Sequence, residues 1–255
     1  MGPKEPALSV NDKEKDNDKG SKQDKDTALM GEQDKAIADF TEAIKLDPKD
    51  APAFNARGKA WAEKREYDKG TKDFDEAIRL DPNFVVAFYN RGNAWYLKDA
   101  YDEAIKDFDE ALRLDPKYTD AFYSRGNAWH LKGQYDKAFK DYTEAIRLDP
   151  GYAKAFTNRG WVWCLKHEYD EGIKDFDEAI RLDPKDPRVF NNRGLAWSGK
   201  GEYDKAIADY TEAIRLDSKD AIAFTNRGVA WGKKGDTEKS AKDFAEAKRL
   251  SELKK

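Results

Sequence analysis

The chain has 255 residues and very few of the residue types that mark a secreted, membrane or metal-binding protein. Cys164 is its one cysteine, so no internal disulfide can form, which fits a reducing compartment. Its two histidines, His130 and His167, have no cysteine or carboxylate constellation at metal-ligand spacing around them, which excludes the usual zinc arrangements. There is no phosphate-cradling glycine loop and no serine with a base partner. Apolar runs reach only a few residues, far short of the roughly 20 that a membrane-spanning helix needs. The first thirty residues lack the apolar core of a secretory signal. Net charge is −4, and no stripe of unopposed lysine and arginine suggests a nucleic-acid groove or a membrane-surface helix. These absences predict a cytoplasmic chain that is not an enzyme, with no cofactor, no metal, no nucleic-acid partner and no membrane insertion.

Periodicity is what the sequence has in abundance. At a shift of 34 residues Phe54, Phe88, Phe122, Phe156, Phe190 and Phe224 fall in one column, each followed by an Arg-Gly, from Arg57-Gly58 to Arg227-Gly228. Trp61, Trp95, Trp129, Trp163, Trp197 and Trp231 form a second column, and Phe74, Phe108, Tyr142, Phe176, Tyr210 and Phe244 a third. Asp-Pro closes most units, with Asp217-Ser218 the exception. A composition of 39% hydrophobic and 38% charged residues is thin for one globular core but sufficient for stacked layers that bury only the faces between helices.

Within a unit, Phe88, Gly92 and Trp95 share one face of a first helix, and Ala104, Phe108, Ala111 and Leu112 share one face of a second. Each unit is therefore a helical hairpin. A glycine inside a helix costs about 1 kcal/mol relative to alanine, so six in register imply a close approach, for which the alanine column Ala43 to Ala247 is the expected partner. Asp50, Thr119, Asp186 and Asp220 stand at N-cap positions, and Gly133, Gly201 and Gly235 at C-terminal stops. The arginine column is expected to pair with the aspartates of the second helices, Arg125 with Asp141 or Asp107, because partly buried charges are paired. Six complete units are predicted, at 51–84, 85–118, 119–152, 153–186, 187–220 and 221–254. An incomplete one precedes them at 27–50, with its second helix at 34–46. Residues 1–26 are expected to be a disordered or eroded charged segment. Ala241 and Lys248 replace apolar residues in the last unit, as a solvent-facing cap requires.

Phe54-x-x-Arg57-Gly58-x-x-Trp61, followed by Ala104-x-x-x-Phe108 and Pro116 in the next unit's register, resembles the tetratricopeptide repeat (TPR) over residues 34–254. Arginine stands where that family usually has leucine, and tryptophan where it usually has tyrosine. The resemblance implies an all-α, right-handed superhelical α-solenoid of stacked antiparallel helix pairs. It also implies a non-catalytic scaffold whose concave groove binds a protein or an extended peptide segment.

The groove falls on the stripe of each first helix opposite the packing face, where the units differ most. The candidate contacts there are Tyr89, Asn90, Asn93, Tyr96, Tyr123, Asn127, His130, Lys154, Asn158, Trp161, Arg188, Asn192 and Asn226. Trp161, the only tryptophan off the packing column, is expected to be an exposed aromatic anchor. Asn90, Asn158, Asn192 and Asn226 resemble the asparagine ladder by which some members of the family grip a peptide backbone. The family's carboxylate clamp is incomplete, since Tyr123 and Asn192 stand where basic residues are required. Two other roles stay open: a structural solenoid that makes a homo-oligomer through its incomplete N-terminal repeat, and the TPR part of a larger enzyme or complex.

Overall fold

The computed structural model describes residues 22–253, with side chains from residue 31 onward. Most of the segment expected to be disordered or eroded lies outside the described residues; positions 22–26 of it are helical. Among the described residues the protein is entirely α-helical. The first helix, α1, is Lys22–Leu46, longer than the 34–46 helix predicted. Helical pairs follow: α2 (Ala51–Glu63) with α3 (Tyr67–Leu80), α4 (Val85–Leu97) with α5 (Tyr101–Leu114), and α6 (Thr119–Leu131) with α7 (Tyr135–Leu148). The remaining pairs are α8 (Ala153–Leu165) with α9 (Tyr169–Leu182), α10 (Pro187–Gly199) with α11 (Tyr203–Leu216), and α12 (Ala221–Lys233) with α13 (Thr237–Glu252). The described residues form two compact units, 22–144 and 145–253.

Capping explains the helix boundaries. Asp50, Asp186 and Asp220 accept hydrogen bonds from Ala53 N, Arg188 N and Ile222 N at the starts of α2, α10 and α12. Thr119, predicted to be a cap, is instead the first residue of α6, whose N-cap Tyr118 offers no side-chain bond. The turn after each first helix needs a left-handed residue. Gly133, Gly201 and Gly235 supply it at φ 70, 79 and 88°, while Arg65, Asp99 and His167 take the same conformation at φ 62°.

Packing within each hairpin corrects one expectation. A Cβ on Gly92 would lie 2.7 Å from Cε1 of Phe108, and one on Gly126 would lie 2.7 Å from Cε1 of Tyr142. The helical glycines thus make room for the aromatic ring of the second helix, not for the alanine column. Phe74, Phe108, Tyr142, Phe176 and Tyr210 are buried because that room exists. Phe244 is 43% exposed, and Ala241 and Lys248 beside it are exposed as well.

The arginine column is a set of two-point clamps. Arg125 Nε and Nη2 donate to Asp141 at 2.8 and 2.7 Å, and its Nη1 donates to Asp109 in the preceding hairpin at 2.6 Å. Asp107, the other partner considered, belongs to Arg91, at 2.8 and 2.6 Å. Arg57, Arg159, Arg193 and Arg227 hold Asp73, Asp175, Asp209 and Asp243 in the same way. Each guanidinium also lies over the phenylalanine of its own helix, Arg125 at 5.5 Å from the Phe122 ring. Arginine replaces leucine here because its planar fork can join two helices and stack on a ring at once.

The tryptophan column is less buried than a core stripe. All six rings are half-buried, and lysines cover several of them: Lys69 over Trp61 at 4.5 Å, Lys137 over Trp129 at 4.0 Å and Lys205 over Trp197 at 4.4 Å. The lysine at the end of the first helix reaches back to the preceding second helix, as in Lys98 with Asp68, Lys132 with Asp102 and Lys234 with Asp204.

Candidate functional site

Consecutive first helices pack on one another, α2 with α4 and α4 with α6 in one unit, α8 with α10 and α10 with α12 in the other. The second helices α3 and α5 in one unit, and α9 and α11 in the other, make no comparable contact. Each compact unit therefore curves with its first helices on the inner side, and the candidate stripe faces that side.

In the unit 22–144 the stripe is largely filled by its own side chains. Tyr89, Asn90 and Asn93 are half-buried, and Tyr96, Tyr123, Asn127 and His130 are buried. The aromatic residues turn back over the second helix of their own hairpin. Tyr89 lies 5.9 Å from Phe108 and 4.9 Å from Tyr118, Tyr123 lies 6.0 Å from Tyr142, Tyr96 lies 5.7 Å from Tyr101, and His130 lies 5.3 Å from Tyr135. Tyr142 Oη donates to Asn127 Oδ1 at 2.8 Å, so that amide is committed to the core. Burial holds the His130 imidazole down at about 4, and neither ring nitrogen has a hydrogen-bond partner.

In the unit 145–253 the largest correction concerns Trp161. It is only 7% exposed and packs with Ile173, Phe176 and Val189. The exposed anchor predicted for it is not there, because its ring turns in against α9 and α10, where Ile173, Phe176 and Val189 surround it. Cys164 is buried one turn further on, where a Cβ on Gly172 would meet its sulfur at 2.8 Å, and burial pushes its thiol up to about 12. Asn192 is buried, while Asn158 and Asn226 are half-buried. Lys154 is exposed; Arg188 is partly exposed and bonds Asp186 at 2.9 Å. Residues beyond the expected set complete this surface: Ile222 and Val229, 45% and 47% exposed on one face of α12, and half-buried Leu195 on α10. Their apolar identity at stripe positions of the last repeat was the available signal.

The asparagines are not a free ladder. Asn90 Nδ2 donates to Asn55 Oδ1 at 3.0 Å, and Asn226 Nδ2 donates to Asn191 Oδ1 at 2.9 Å, each bond joining consecutive first helices. Tyr89 and Ser124 meet at the same offset, 3.5 Å apart. No group of three or more metal-ligating side chains occurs among the described residues, and no described helix is long and apolar enough to cross a membrane.

Comparison with known proteins places these features in a family. Residues 30–83, 85–118, 119–152 and 153–186 match the tetratricopeptide repeat, and residues 199–235 match the TPR repeat. No match to a curated protein is found. Among solved structures, YrrB, described as a TPR protein with an unusual peptide-binding site, is 26% identical with a TM-score of 0.61. That similarity covers 72% of this chain and 95% of YrrB. MamA is 25% identical with a TM-score of 0.59, covering 64% of this chain and 95% of MamA. A tetratricopeptide repeat protein from Parabacteroides merdae shares the fold at 18% identity and a TM-score of 0.68, covering 90% of this chain and 91% of its own. The repeats matched account for most of the sequence, and the chain belongs to the tetratricopeptide repeat family.

Proposed function

We propose that this protein is a non-catalytic interaction scaffold that holds an extended segment of a partner protein along the inner side of its first helices. The observation that carries this reading is the contrast on α8, α10 and α12: the clamp residues repeat from hairpin to hairpin, while the inner surface varies and leaves Lys154, Ile222 and Val229 open. Exposed aliphatic side chains flanked by polar groups are the composition of a docking surface. The peptide-binding character of the similar YrrB supports the same reading. Its test is selection of 12-residue peptides from a random phage-displayed library on the intact chain, followed by affinity measurement. Val229→Asp together with Lys154→Glu should weaken the selected peptides by about tenfold or more without lowering the melting temperature, in keeping with the loss of an interface contact. Unchanged affinity, or a library that yields no binder, defeats the reading.

A second reading has one observation in its favour. Phe40 on α1 is half-buried, whereas its counterparts Phe74, Phe108 and Phe176 are fully buried, so α1 presents an aromatic face that a second copy could cover. Light scattering that gives a monomer mass at all concentrations removes it.

A further inference from the structure

We propose that Trp95 and Glu103, at the junction of α4 and α5, form a docking point for a lysine side chain of a partner protein. The point stands on the tryptophan column and not on the inner stripe, so it is independent of the groove reading above.

Four other hairpins fill the corresponding place with a lysine of their own. Eight residues after the tryptophan, the second helix carries an ammonium over the indole: Lys69 over Trp61 at 4.5 Å, Lys137 over Trp129 at 4.0 Å, Lys205 over Trp197 at 4.4 Å and Lys239 over Trp231 at 4.3 Å. In three of them a carboxylate three residues before the lysine holds it from the other side. Glu66 lies 3.5 Å from Lys69, Glu202 3.6 Å from Lys205 and Asp236 2.8 Å from Lys239. An ammonium shared between an indole and a carboxylate is the arrangement that recurs here.

The α4–α5 hairpin departs from it at both charged positions. Glu103 stands in the place of the lysine and Ala100 in the place of the carboxylate, while Trp95 remains, half-buried. Ring and carboxylate are therefore both kept, and none of the described residues supplies the ammonium between them. Glu103 is exposed, and its carboxylate has no ion pair or hydrogen bond among the described residues. Lys106, one turn on, forms no ion pair with it, whereas in α9 the equivalent Lys174 holds Glu171 at 2.6 Å. Lys98 does lie over Trp95 at 4.6 Å, but its ammonium is committed to Asp68. Its counterparts Lys132, Lys200 and Lys234, at 5.7, 5.4 and 5.9 Å, share their rings with the second lysine, so one such neighbour does not close the site.

The chain also separates the two kinds of cation. Its arginines lie over phenylalanine, as Arg91 does over Phe88 at 5.6 Å, and the tryptophans named above take lysine. A lysine can lay its apolar stem along the indole while its ammonium stays at the wet edge beside a carboxylate. The partner is therefore a protein that presents a lysine with a stem free to reach the ring.

The experiment selects a 12-residue random peptide library on the intact chain and then passes the pool over the Glu103→Lys protein. That variant gives the hairpin the lysine its neighbours have and should melt as the wild type does. Peptides that bind the wild type and not the variant should share one lysine. Norleucine in its place keeps the stem without the charge, and should weaken binding to the wild type by about tenfold and to Glu103→Lys not at all. Glu103→Gln should show the same dependence at smaller amplitude, and the lysine peptide should shift the Trp95 indole N–H signal in NMR where the norleucine peptide does not. Val229→Asp with Lys154→Glu should leave these peptides bound; if it removes them, they lie in the groove and the docking point fails while the groove reading stands. A pool with no member that distinguishes Glu103→Lys, a shared arginine in place of lysine, or tolerance of norleucine overturns the proposal. Self-association of the wild type that Glu103→Lys abolishes would give the point to a second copy of this chain, and would overturn it as well.

Discussion

Trp161 illustrates how much of this surface is decided by single side chains. Its ring is buried among Ile173, Phe176 and Val189, yet its Nε1 has no hydrogen-bond partner. Truncation to alanine should cost about 3–5 kcal/mol, as for other buried aromatic residues, and will appear as a lower denaturant midpoint. His130 carries the same tension in a titratable form. An imidazole with an ordinary value of 6.5 that is held at about 4 binds its proton more weakly in the folded chain than in the unfolded one. The stability gained by keeping it neutral is complete above pH 6.5 and is lost as pH falls toward 4. His130→Tyr, which copies Tyr96 in the preceding hairpin, should flatten the fall in urea-unfolding free energy over that window by an amount on the order of 3 kcal/mol. An identical slope in both proteins would remove His130 as its cause. Among the clamps, burial pushes the Asp141 carboxyl up even with Arg125 beside it, so an unpartnered Asp141 is costly. Arg125→Met should destabilise by about 3 kcal/mol, and a double-mutant cycle should show strong coupling to Asp141, weaker coupling to Asp109 and none to Asp107.

At the scale of the helix, the first and second members of a pair are stabilised by different means. Second helices bury one apolar face, as α5 does with Ala104, Ile105, Phe108, Ala111 and Leu112. Within each compact unit a second helix also packs on the first helix of the next pair, as α3 does on α4 and α9 on α10, and the first helices α4 and α10 touch the first helices on either side of them as well. The connection between the members is where the chain carries avoidable strain. Arg65, Asp99 and His167 occupy a left-handed conformation at φ 62° that Gly133, Gly201 and Gly235 adopt freely elsewhere. Asp99→Gly should raise stability by roughly 0.5–1 kcal/mol, the conformational penalty removed, in urea unfolding at neutral pH. Loss of the Tyr101 Oη bond to Asp99, 2.6 Å long, offsets part of that gain, and Arg65→Gly provides the comparison without it.

At the scale of the whole chain, stability is expected to be a sum over neighbours, as in repeat proteins whose units contact chiefly the ones beside them. The α1 helix is tied to α2 by Lys64 with Asp34, by Gln33 Nε2 donating to Glu63 at 3.0 Å, and by Arg57 Nη1 donating to Thr41 at 3.2 Å. Removing residues 1–46 should therefore reduce amide-exchange protection in α2 and α3 strongly, in α4 and α5 less, and leave α10 to α13 as they were. Uniform loss of protection throughout the chain would show that folding is all-or-none and not additive.

The repeat and the hairpin follow from the sequence because they depend on spacing alone, a 34-residue period that survives any detail of packing. That the arginines pair with second-helix aspartates is legible too, but spacing left Asp141 and Asp107 both open for Arg125, and the packing of the hairpin chose Asp141. Spacing also places Tyr96, Tyr123, His130 and Trp161 on the inner stripe. Whether such a side chain stands open or folds inward depends on what its neighbours leave empty, and that is a tertiary quantity. Trp161 turns in among Ile173, Phe176 and Val189, and the tyrosines fold over the second helices, while the tryptophans of the 34-residue column end half-buried beneath lysines. The Asn55–Asn90 and Asn191–Asn226 pairs likewise join residues 35 apart, one position off the period, so the column alignment that exposes the repeat conceals them. Periodicity determines which face a residue occupies; only the stacking of one helix on the next decides which of its atoms remain free to bind.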